Sequence, residues 1–97
     1  MTNRGRAAAI REKLRAAVEQ ALAGDWQAAH QIAQEYEEDQ TACWLHAVCH
    51  RMEGDLGNAR YWYRRCGRLL REDVTTGAEL REIRSALERA GQPSRST

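Results

Sequence analysis

The chain has 97 residues, 42% of them hydrophobic and 30% charged, which suits one small globular domain and leaves no room for a second. Its 15 basic and 14 acidic side chains leave a net charge of +1, so no overall field draws it to nucleic acid or to an anionic membrane. No apolar run is long enough to cross a bilayer, and the residues following Met1 contain no apolar block of the secretory kind, so no membrane contact and a cytoplasmic location are expected.

Pro93 is the single proline and stretches of alternating apolar and polar residues are scarce, so the pattern predicts a nearly all-helical protein. Residues 1–6 are expected to be disordered. A first helix is predicted over 7–23, where Ile10, Leu14, Ala17, Val18, Ala21 and Leu22 recur at helical spacing among charged residues. Gly24 closes it, and Asp25 caps a second helix with the stripe Ala28, Ala29, Ile32, Ala33 and Tyr36. The acidic run Glu35, Glu37, Glu38 and Asp39 separates this from a third, more apolar helix predicted over 40–52. Gly54 and Asp55 repeat the earlier turn and open a fourth, over 56–71, with Leu56, Ala59, Trp62, Tyr63, Cys66, Leu69 and Leu70 available for packing. Thr76 and Glu79 stand three apart as a capping box for a fifth helix reaching Ala90, with Leu80, Ile83 and Leu87 on one side. The folded unit is thus expected over 7–90, followed by a flexible tail at 91–97.

Gly24, Asp25, Trp26 and Ala29 return thirty residues later as Gly54, Asp55, Leu56 and Ala59, each set joining one amphipathic helix to the next. From Thr41 to Leu70, with Ala47 and Ala59 at the small contact positions and Tyr63 at the large one of the second helix, the chain resembles the tetratricopeptide repeat. The likeness is weaker from Ile10 to Tyr36, where Ala33 stands in place of that large residue. The stretch from His46 to Arg65 also resembles a run found in small uncharacterised bacterial proteins. The repeat resemblance implies an all-α stack of antiparallel helical hairpins that holds a protein or peptide in the groove of its first helices. Thr41, Trp44, Val48, Arg51 and Met52 would line that groove, continued by Leu14 and Val18. Two such repeats are too few to bury their own faces, so the fifth helix or a second copy must close the stack, and self-association is expected.

The stripe Trp44, Val48 and Met52 has two readings. It is interior if Leu80, Ile83 and Leu87 fold over it, and a docking patch if they do not. Arg51 would orient an acidic group, and Arg64, Arg65 and Arg68 form a second, electrostatic face. With Arg60, Arg71, Tyr61 and Trp62 nearby, that segment also has the composition of a single-strand nucleic-acid contact, but a solvated or ion-paired helix face explains it equally well and nucleic acid is not the expected partner.

Cys43, His46 and His50 share one helical stripe. Thiolate and imidazole at this spacing can converge on a transition metal, with His30 or Cys66 as a further ligand; the alternative is a buried thiol and two hydrogen-bonded core histidines. The odd cysteine count, without a Cys-x-x-Cys pair, fits reduced thiols. Catalysis has little support. Ser85, Ser94 and Ser96 lie far along the chain from every histidine, the glycines form no phosphate loop, and Ala47 sits where a zinc protease needs glutamate. A non-enzymatic protein without a cofactor is therefore expected, with a metal or redox module as the alternative.

Overall fold

The computed structural model describes residues 3–91, and within them the protein is five α-helices and no strand: α1 (Asn3–Leu22), α2 (Trp26–Gln34), α3 (Gln40–Glu53), α4 (Leu56–Arg65) and α5 (Thr76–Ala90). Among the described residues no helix is long and apolar enough to cross a membrane. Helix α1 begins at Asn3, within the segment expected to be disordered. Apolar periodicity starts only at Ile10, but the Arg- and Ala-rich run before it extends an existing helix at little cost. Met1, Thr2 and most of the expected tail, 92–97, lie outside the described residues; Gly91 caps α5.

The two Gly-Asp junctions have one geometry. Gly24 and Gly54 take φ of 98° and 91°, a left-handed conformation that glycine adopts without strain. The next residue then serves both helices. The Asp25 N–H donates to Gln20 O and the Asp55 N–H to His50 O, both at 2.9 Å, closing α1 and α3. Their carboxylates accept from the backbone N–H of Ala28 and Asn58, opening α2 and α4. Asp39 caps α3 in the same way through the Ala42 N–H at 2.9 Å.

Two expectations are corrected here. Helix α4 ends at Arg65, not Arg71, because Gly67 at φ 70° makes a third left-handed cap, with the Arg68 N–H on Tyr63 O at 2.8 Å. And the cap of α5 is Thr75, whose hydroxyl accepts from the Ala78 N–H at 3.0 Å; Thr76 is already helical, and Glu79 is buried instead of turning back to complete a capping box.

Successive helices from α1 to α4 pack on one another, and α5 lies across α3 and α1, while α4 rests on α3. This makes α3 the central element, with every residue from 42 to 49 buried. The core joins Leu14, Val18 and Ala21 of α1, Ala29 and Ala33 of α2, and Ala59 and Tyr63 of α4 to Leu80, Ile83 and Leu87 of α5.

Candidate metal centre

His46 and His50 are one turn apart on α3, so their side chains share a face, and the packing of α2 on α3 brings His30 against both. The ring centroids are 4.5 Å apart for His30 and His46, 5.1 Å for His30 and His50, and 5.0 Å for His46 and His50. One nitrogen from each of the three rings lies within 4.8 Å of the others. His46 is 4% exposed and sits at the base of the cluster. The Trp62 indole of α4 stacks on it at 3.9 Å and 16°, and the Arg65 guanidinium lies 4.9 Å above the indole. His30 and His50 border an open pocket of about 430 Å³ that Trp26, Gln27, Gln31 and Glu53 complete.

The polar contacts are uneven. The Nδ1 of His50 is 2.8 Å from a Glu53 carboxylate oxygen, leaving Nε2 as its other ring nitrogen. The Nδ1 of His46 has no hydrogen-bond partner, the sole buried side-chain polar atom in that state among the described residues. Such a group costs about 1–3 kcal/mol if it stays unmet. Burial first, and then the neighbouring His30, His50 and Arg65, push the His46 pKa down to about 3; burial and His50 lower that of His30 as well, the nearby Glu53 opposing. His46 is thus a neutral imidazole at ordinary pH, the protonation state in which histidine binds metals.

Of the metal ligands expected from sequence, His46 and His50 come together and Cys43 does not join them. Its thiol donates to Trp62 O at 3.4 Å, on a carbonyl that also accepts from Cys66 at 3.1 Å. Three residues along a helix leave Cys43 about 60° round from His46, so its thiol reaches the α4 backbone while the His46 ring lies between Trp62 of α4 and His30 of α2. All three cysteines are free and buried, and burial pushes the thiols of Cys49 and Cys66 up to about 12, with Glu53 and Cys43 adding to the effect respectively. That is poor chemistry for a thiolate ligand or nucleophile. His30, which the sequence offered with Cys66 as a possible further ligand, takes the third place.

The expected groove is filled by the protein's own α5. Trp44 and Val48 are buried, and Met52 is half-buried. The Trp44 indole N–H donates to Glu79 at 2.8 Å. Arg51 donates to Glu79 at 2.7 Å and to Val74 O at 2.8 Å, and the Tyr63 hydroxyl reaches Glu79 at 2.7 Å. Trp44, Val48 and Arg51 are therefore engaged with α5 and largely withdrawn from solvent. Arg64, Arg65 and Arg68 remain exposed, Arg68 with its guanidinium 3.4 Å above the Trp44 ring. Glu79, which ties α5 to α3 and α4, was missed because its spacing from Thr76 offered a simpler role.

No protein-family model, curated protein or solved structure matches the chain.

Proposed function

We propose that this protein is a small, non-enzymatic metal-binding module that holds one divalent transition ion on His30, His46 and His50. The observation that carries the reading is the approach of three imidazole nitrogens within 4.8 Å, with two of the rings, His30 and His50, lining an open pocket. Zinc bonds to imidazole are about 2.0–2.1 Å, which sets tetrahedral nitrogens about 3.4 Å apart, so modest side-chain rotation completes the contraction. An ion held on Nδ1 of His46 would satisfy the group that the protein leaves without a hydrogen-bond partner. Glu53 on His50 supplies the outer carboxylate that orients a ligating imidazole and raises its basicity. An all-nitrogen neutral donor set suits zinc, copper, nickel or cobalt and not calcium or magnesium.

Isothermal titration of chelator-treated protein tests this. One equivalent of zinc is expected to bind and to raise thermal stability, by about 2.7 kcal/mol once free zinc is a hundred times Kd. His30→Ala and His46→Ala are each expected to abolish stoichiometric uptake while the helical circular dichroism persists. Folded wild-type protein that takes up none of the four metals overturns the proposal.

A second reading, contact with an acidic protein segment, has support from a different surface. Arg60 and Arg64 of α4, with Arg68 just beyond it, frame a pocket with Leu69, which is 80% exposed, and Tyr61 and Leu56 are exposed on α4. The acidic turn at 35–39 of a second copy has the complementary charge, so self-association is the form proposed, with the helical hairpins stacked as in the tetratricopeptide repeat they resemble. Sedimentation is expected to show a larger species at low salt that dissociates at high salt and in Arg64→Glu; a monomer at every salt concentration rejects it.

A further inference from the structure

Resting on the metal reading above, we infer that the protein supplies only three donors to the ion and that the fourth position takes a small anion entering from the pocket between α2 and α3. Among the described residues, no fourth histidine, cysteine or carboxylate shares the mutual distance that groups His30, His46 and His50. The other candidates are committed elsewhere: Asp55, which groups with His50 and Glu53 but not with His30 and His46, accepts from the Asn58 N–H at 3.2 Å and from its side-chain amide at 2.8 Å. Glu53 is held on the Nδ1 of His50 at 2.8 Å, and Cys43 and Cys66 both donate to the Trp62 carbonyl. One side of the cluster is closed as well, since the Trp62 indole lies flat on His46. The other side opens into the pocket of about 430 Å³, a size that fits a small ligand and its water.

Charge sets the ligand class. Three neutral imidazoles leave a dication uncompensated, and Glu53 at the rim neutralises only part of it. A monodentate anion with an oxygen or nitrogen donor completes both the tetrahedron and the charge, and the pocket wall offers hydrogen-bond donors for its outer end in the amides of Gln27 and Gln31, with the Trp26 indole also lining it. Water fills the position when no anion is present. A three-ligand ion with an exchangeable position differs in kind from a closed four-ligand structural site, which no external ligand enters.

Cobalt(II) loading with azide as the probe separates the possibilities. The cobalt protein is expected to show visible d–d bands that shift saturably as azide is added. Gln27→Leu, Gln31→Leu is expected to weaken azide several-fold while cobalt affinity stays within about twofold. Glu53→Gln is expected to lower metal affinity by about 10- to 100-fold, as loss of an outer-shell partner does, and to keep the azide response. Bands that ignore azide in the wild type but respond in Glu53→Gln would identify Glu53 as the fourth ligand and overturn this inference while leaving the metal site standing. Bands that ignore azide in both overturn it as well. No cobalt uptake at all removes the metal reading and this inference together.

Discussion

A carboxylate that is 1% exposed persists only where its lone pairs and charge are met, and Glu79 meets Arg51, the Trp44 indole and the Tyr63 hydroxyl, with Arg71 at 3.7 Å. Removing it strands the Trp44 and Tyr63 donors at once and leaves Arg51 with the Val74 carbonyl alone. Glu79→Ala is therefore expected to cost about 3–5 kcal/mol, read as a lower urea midpoint, whereas Tyr63→Phe, which leaves Arg51 on the same oxygen, costs about 1 kcal/mol. His46 gives the fold an acid limit. In the unfolded chain this imidazole takes a proton below about pH 6.5, while the folded one resists until about 3, so the unfolded state binds more protons between these values. Stability of the metal-free protein is full above pH 6.5 and is expected to fall as pH drops from 6.5 towards 3, and His46→Gln should flatten that slope in urea titrations run across the range. Both residues show where single-residue reading stops. Helical spacing correctly placed His46 beside His50, because partners on one helix follow from its period. His30 and Glu79 reach their partners across helices, through packing angles that no local pattern encodes.

Between helices, glycine and aspartate divide the work of each turn, one supplying the conformation and the other the hydrogen bonds on both sides. Nothing lies within 4 Å of a Cβ built on Gly54, so the cost of Gly54→Ala is all backbone, about 1–2 kcal/mol for a left-handed alanine. Gly57, inside α4, is the control. A methyl there meets only an Asp55 oxygen at 3.9 Å, so Gly57→Ala is expected to stabilise by about 0.4–1 kcal/mol. Thermal melts of the pair should move in opposite directions; a melt of Gly54→Ala that is unchanged or raised would mean the turn is not held by Gly54. These junctions were readable in advance because their chemistry is local. The end of α4 was not, since Gly67 is followed by Arg68 in place of an aspartate, and apolar residues continue to Leu70 as though the helix did too.

Across the molecule, α5 determines which faces are interior. Leu80, Ile83 and Leu87 cover the Trp44 and Val48 stripe, and Arg84 reaches Glu19 on α1 at 3.2 Å. A chain ending at Asp73 loses these side chains and Glu79 together. It is expected to bind a hydrophobic dye, to sediment as larger species and to melt without a cooperative transition; a monomeric, cooperatively melting truncation would show that α5 is dispensable. Amphipathic periodicity disclosed that α5 has an apolar side. It did not disclose which of several apolar surfaces receives it, because choosing among them depends on the buried polar contacts that only the assembled helices create.

The contacts that hold α5 span long stretches of chain, 35 residues from Trp44 to Glu79 and 65 from Glu19 to Arg84. On the ribosome, therefore, both hairpins emerge with the indole of Trp44 and the guanidinium of Arg51 still waiting for their acceptor. Closure of the core is expected only after α5 has emerged, late in synthesis.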